Sequence, residues 1–406
     1  MNRLLANLDG QVAALREAGT AKGAEHVVTG LVDGGAGRAP RLTLAGQPDR
    51  SFLRMNSNSY LGLGTHPELI RAEEEASRAF GIGPGAVRFI SGTYEPHVRL
   101  EGLLARFHGR EAAMAFSSAY ATAVSVIVPL TDQDTALVSD ELNHNCIINA
   151  MRLSRPKAKF IYRHLDLDHL REQLAAAVAS GASRCLVVTD GIFSMRGVHA
   201  PLAEIRAIVD EYRDSFSGGL ALIVDDSHGV AAVGATGRGT EELTGSGPAD
   251  ILIGTLGKGF GVNGGYVTGA ASLIGYLRQT SMMYIYSNPI TPGEAASACR
   301  AVEIVDSAEG SALLAAVKAR AEQFRSGLQA AGLETLPGQH PVVPLMIRNT
   351  PGTRAAVSHL FDGGVLATGL TYPVVPAGDE SIRFQLSAEH GPADVDEVIT
   401  LLRQAF

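Results

Sequence analysis

Two stretches decide the reading of this chain: Leu222-Ile223-Val224-Asp225-Asp226-Ser227-His228-Gly229 and Ile251-Leu252-Ile253-Gly254-Thr255-Leu256-Gly257-Lys258-Gly259-Phe260-Gly261. Each starts as an unbroken apolar run of strand length and ends in polar groups among small residues. A run that is apolar at every position is buried on both faces, the pattern of a strand in a parallel sheet covered by helices. The first run delivers two carboxylates and then, three residues after the first of them, an imidazole. The second delivers one lysine with glycine on both sides, reachable and unshielded. An amine, a carboxylate and an imidazole at strand ends are the groups that pyridoxal phosphate requires. The amine carries the cofactor, the carboxylate keeps its pyridine nitrogen protonated, and the imidazole donates near its phenolic oxygen.

Nucleotide-phosphate readings fit less well. The Gly-x-x-x-x-Gly-Lys-Ser/Thr frame is absent around Lys258, and the Gly-x-Gly-x-x-Gly at 259–264 has no acidic residue at the downstream spacing that a dinucleotide site needs. Outside its context, a Gly-Lys-Gly is more often a solvated turn and an Asp-Asp a helix cap. The ordered combination carries the argument.

Working outward, further strand patterns run over 112–116, 135–138, 184–189, 220–225, 250–254 and 265–268, with helical periods such as 202–212 between them. This alternation predicts an α/β fold with a large, mostly parallel sheet. Ligands of such sheets gather beyond the carboxyl ends of the strands, where Ser117, Ser118, Asp140, Asp190, Asp225 and Thr255 fall. From about residue 291 the pattern changes to long helical periods (293–307 and 311–331), strands near 342–347 and 382–386, and a last helix at 392–405. The expected division is an N-terminal arm at 1–50, a large cofactor-binding domain at 51–290 and a smaller α+β domain at 291–406. The arm reads as a helix followed by irregular or short-strand segments.

These segments, taken with Asn58-Ser59-Tyr60-Leu61-Gly62-Leu63, the run from Gly83 to Thr93, Leu142-Asn143-His144, the run from Thr189 to Met195 and the run from Ser381 to His390, resemble the α-oxoamine synthases. These are fold-type I pyridoxal phosphate-dependent transferases. The resemblance covers nearly the whole chain and implies the condensation of a small α-amino acid (glycine, alanine or serine) with an acyl-CoA. CoA is released, usually with carbon dioxide, to give an α-aminoketone. The alternatives are retention of the carboxylate, as in a glycine C-acetyltransferase, or an aldolase or aminotransferase on the same cofactor.

Residue by residue, the resemblance makes Lys258 the Schiff-base lysine, Asp225 the partner of the pyridine nitrogen and His228 the neighbour of the phenolic oxygen. His144 would stack on the ring and Ser194 contact the cofactor, while Asp226 is expected to be structural. Ser118, Ala119 and Tyr120 open a helix whose first N–H groups are unpaired donors suited to a phosphate. The resemblance adds the Thr255 hydroxyl there, with Ser287 and Asn288 from a second copy in a homodimer. Arg383 offers a planar fork for the amino acid's carboxylate, and Asn58 would be a second contact to it.

Composition limits the partners. Of 406 residues, 46% are hydrophobic and 19% charged, enough for a large core, and the net charge of −8 opposes a nucleic-acid or anionic-membrane surface. Cys146, Cys185 and Cys299 are odd in number and lack C-x-x-C spacing, so neither disulfides nor a metal is expected. The start lacks a signal-peptide core and no eighteen-residue apolar run occurs, which reads as cytoplasmic.

Overall fold

The computed structural model describes residues 2–18, 20, 21 and 25–406. Among them the largest sheet has seven strands: β1 (Ala112–Phe116), β2 (Thr135–Asp140), β3 (Ala158–Tyr162), β4 (Arg184–Asp190), β5 (Leu220–Asp225), β6 (Ile251–Thr255) and β7 (Gly265–Gly269). Their order across the sheet is β1-β7-β6-β5-β4-β2-β3. Every pairing from β6 to β3 is parallel, and only β7 runs against its neighbours β6 and β1. Burial explains the unbroken apolar runs. Leu222 and Val224 of β5 join one core layer with Val187, while Ile223 joins the opposite layer with Leu186 and Val188, so both faces of the sheet are covered. The strand β3 escaped the sequence pattern because it is an edge strand with alternate residues exposed, Lys159 and Ile161 among them.

The C-terminal part builds its own antiparallel sheet from Val342–Met346, Ser381–Gln385 and Thr368–Leu370. The helices Ala308–Ala330, Thr350–Asp362 and Pro392–Ala405 belong to the same part. At the other end of the chain, a helix at Arg3–Glu17 has no buried residue, and strands at Val28–Val32, Arg41–Leu44 and Gln47–Arg54 form a meander. The last of these crosses residue 50 and pairs in parallel with Val365–Leu366, so N-terminal and C-terminal segments share one sheet. No helix among the described residues is long and apolar enough to cross a membrane.

The turn after β5 is built around the Asp226 side chain. Its carboxyl accepts from the Thr240 amide at 2.6 Å and the Thr240 hydroxyl at 2.5 Å, and burial still pushes its pKa up to about 8. Three backbones close on it where only glycine fits. A Cβ at Gly229, Gly239 or Gly191 would lie 2.0, 2.0 or 2.2 Å from a carboxyl oxygen. Asp226 is thus the structural post that aims the flanking Asp225 and His228. Gly229→Ala is expected to cost about 1–3 kcal/mol by overpacking, read as a lower denaturation midpoint. By contrast Gly275→Ala, in the helix Ala271–Thr280 with nothing within 4 Å, should cost nothing or stabilise by up to ~1 kcal/mol.

Candidate active site

The ends of β4, β5 and β6 converge as the parallel register requires. Asp225 pairs with Asp190 across β5 and β4, and with Ile253 across β5 and β6. Two buried carboxylates therefore stand side by side. Asp190 accepts from the His144 amide at 2.8 Å, and burial together with Asp225 pushes it well above the usual carboxylate range. Asp225 accepts from the Ser227 amide at 3.1 Å and lies 3.5 Å from the Cys146 sulfur. Lys258, half-buried beyond β6, answers them: burial lowers its amine below the ordinary value while Asp225 and Asp190 pull it back up.

His144 caps the helix Asn145–Leu153, its Nδ1 accepting from the Cys146 amide at 3.2 Å, so Nε2 carries the proton of the neutral ring. The residue is exposed, which leaves ring surface available. The register of this loop is set by Asn143, whose side chain clamps β2 to β4 through the Ser139 hydroxyl, the Val188 carbonyl and the Asp190 amide. Burial, reinforced by Lys258, holds His228 well below the usual histidine pKa. Its Nδ1 lies 2.7 Å from the Tyr60 hydroxyl, which is 3.3 Å from the Asn58 oxygen. The shorter contact takes the tyrosine proton, leaving Nε2–H as the donor of the His228 ring.

Arg383 arrives from the C-terminal sheet. It donates from Nη1 to the Ser194 carbonyl at 3.1 Å, and the Gln385 amide, with its oxygen turned toward the guanidinium, accepts from Nε at 3.2 Å and Nη2 at 2.9 Å. Among the described residues it forms no ion pair with a carboxylate, and burial lowers its pKa. A largely desolvated cation held only by neutral acceptors is set to receive an anion. Asn58 stands nearby, because the Gln385 amide donates to the Met55 carbonyl and the Ala388 amide to the Tyr60 carbonyl, both at 2.8 Å.

The phosphate end is also formed. Ser118 caps the helix Ala119–Leu130 by accepting from the Ala121 amide at 3.1 Å, leaving the Ala119 and Tyr120 amides without helical acceptors. A Cβ on Gly265 would lie 2.3 Å from the Ala119 nitrogen, so that glycine admits the helix start to the sheet. Thr255 flanks it, its hydroxyl donating to Gly264 and accepting from the Gly257 amide, both at 3.2 Å. Ser287 and Asn288 lie beyond the helix Met282–Ile285 and make no side-chain hydrogen bond among the described residues. The buried Ser227 hydroxyl, between Asp225 and His228, has no hydrogen-bond partner among the described residues. An amine, a ring-facing carboxylate, a neutral imidazole donor, an open helix start and an orphaned hydroxyl fit pyridoxal phosphate.

The comparisons agree with this chemistry. The aminotransferase class I and II family matches residues 50–402. The 2-amino-3-ketobutyrate coenzyme A ligase of Bos taurus is 36% identical over 97% of this chain and 90% of its own. The 8-amino-7-oxononanoate synthase of Geobacter metallireducens is 39% identical over 87% of this chain and 88% of its own. The chain belongs to the α-oxoamine synthase family. The Sphingomonas wittichii serine palmitoyltransferase structure superposes with a TM-score of 0.87 at 25% identity, covering 99% of this chain and 98% of that one. An α-oxoamine synthase is a pyridoxal phosphate-dependent C-acyl transferase of fold type I, as the resemblance implied.

The α-oxoamine synthase site also holds residues to which the sequence assigned no role there: Tyr60, Asn143, Cys146, Gln385 and His340, while Asp190, placed at the strand ends by the sequence, stands beside Asp225. His340 donates from Nε2 to the His228 carbonyl at 2.8 Å and accepts at Nδ1 from the Val342 amide at 3.0 Å. Its isolated place in Gly338-Gln339-His340-Pro341 gives no signal, whereas Tyr60 and Asp190 sit inside recognised motifs. Burial pushes His340 and His108 down to about 3 and His390 to about 4. Unfolded, each takes a proton near 6.5. Between those values the unfolded chain binds more protons at these three rings, so their contribution to stability is complete above about pH 6.5 and falls as pH drops toward 4, while the raised pKa of Asp226 contributes a slope of opposite sign. Urea titrations at a series of pH values should show this slope, reduced by about one proton in His108→Gln.

Proposed function

We propose that this protein condenses a small α-amino acid, glycine first and alanine or serine next, with an acyl-CoA, releasing CoA and carbon dioxide to give an α-aminoketone. The observation that carries the reading is Arg383, a half-buried guanidinium with no carboxylate partner among the described residues, in the same site as the lysine-carboxylate-imidazole set. Pyridoxal phosphate, when bound, supplies the electron sink for charge developing on the amino acid's α-carbon.

The protein's residues then divide the remaining work. Lys258 would hold the cofactor covalently, and its amine, lowered in pKa by burial, would take the α-proton. Asp225 would accept from the pyridine N–H, and His228 would donate from Nε2 to the phenolic oxygen. His144 would cover the ring and Ser194 would contact the cofactor. Ser118, the Ala119 and Tyr120 amides and Thr255 hold the phosphate, joined by Ser287 and Asn288 of a second copy. Arg383 and Asn58 fix the carboxylate and so choose which α-bond is broken. We place the protein in the cytoplasm, on the ground that its three cysteines are free and buried.

Borohydride treatment of the holoenzyme should fix the cofactor on Lys258, and a reduced adduct on another lysine by mass spectrometry would sink the assignment. Arg383→Lys keeps the charge and loses the fork. Losing a charge-assisted contact costs about 1.5–3 kcal/mol, or roughly ten- to a hundredfold in amino-acid affinity, with little change in acyl-CoA dependence. Spectral titration with glycine, alanine and serine reads this directly, and unchanged affinity contradicts the role.

A further inference from the structure

A cavity of about 280 Å³ opens beside the Arg383 site, lined chiefly by Leu142, Phe193, Met195, Leu336, Met346 and Val375. Its place follows from strand geometry. Pro344 is the register partner of Arg383, and Met346 that of Ser381. Residues opposite one another, and residues two apart, share a sheet face, so Pro344, Met346 and Ser381 form a wall continuous with the guanidinium. Ser194, whose carbonyl holds Arg383, is a further lining residue. None of the functions assigned above uses this apolar space.

The charges in the cavity wall bear on what can fill it. Arg196 pairs with Asp379 at 2.9 Å. Arg348 pairs with Glu334 and lies 3.9 Å from Asp379. Two cations are thus matched by two carboxylates, and the remaining cation at the wall, Arg383, is committed to the amino acid's carboxylate in the proposed reaction, so none is left to receive an anionic chain end. From these features the geometry points to a subsite for the chain of a neutral, unbranched acyl-CoA of medium length. It favours such a chain over an acetyl group, which would leave the space unfilled, and over a chain ending in a second carboxylate. At about 30 Å³ per methylene-sized unit the cavity takes roughly nine of them. This inference rests on the condensation proposed above and specifies its acyl donor.

The test uses the holoenzyme and two variants that fill the cavity, Leu336→Trp and Met346→Trp, with cofactor absorbance as the check on folding. CoA release is followed with a fixed amino acid and straight-chain acyl-CoAs from two to twelve carbons, plus an eight-carbon donor with a terminal carboxylate. Each added methylene should raise kcat/KM about fourfold until the cavity is full. The carboxylated donor should fall at least about tenfold below its neutral counterpart. Either tryptophan should abolish the preference for longer chains while acetyl-CoA turnover stays within about twofold.

Calorimetric binding of octanoyl-CoA and acetyl-CoA without amino acid gives a second measure that does not depend on turnover. Tighter octanoyl-CoA binding that is lost in the tryptophan variants supports the subsite, even if no amino acid is condensed and the proposed reaction fails. A flat chain-length profile with equal binding overturns the subsite and leaves the condensation standing. So does a gain that follows the length of the amino acid's side chain instead of the acyl chain.

Discussion

Two carboxylates that must share a buried edge set the terms for everything around them. Asp190 and Asp225 are register partners at the ends of adjacent parallel strands, so the sheet itself forbids them to separate. Like charges in a poorly solvated place are costly unless answered by cations or donors. The His144 amide answers Asp190, the Ser227 amide answers Asp225, and Lys258 answers both. A raised pKa on Asp190 relieves part of that cost, and a protonated pyridine nitrogen beside Asp225 would complete the balance.

The sheet was legible because the physics that makes a strand invisible to solvent leaves an unbroken apolar run. Leu220–Asp225 was bounded from sequence to the residue, since both of its faces meet a core layer. The edge strand Ala158–Tyr162 was not, because one face is wet and Lys159 interrupts the pattern. Likewise Lys258, Asp225 and His228 stood out as candidates by residue type and neighbours, and Arg383 through the resemblance of its flanking run.

What remained hidden is whatever depends on long-range register. His340 reaches His228 only because the chain enters the strand Val342–Met346 beside the turn after β5. The Tyr60 hydroxyl reaches the same ring because backbone bonds pin 55–60 to the strand Ser381–Gln385. Neither contact leaves a trace in local composition. The cavity beside Arg383 is hidden for the same reason: its lining comes from four separate parts of the chain, each ordinary when read alone.

The placement of Arg383 also couples binding to proton transfer. With no carboxylate beside it, its charge reaches across the site and helps to depress the amine of Lys258 and the rings of His228 and His340. A carboxylate seated on the guanidinium cancels that field where little water screens it. In the proposed reaction a carboxylate on Arg383 would therefore raise the proton affinity of the Lys258 amine, so the group that recognises the substrate would also adjust the group that acts on it, because the guanidinium charge reaches the amine across the site.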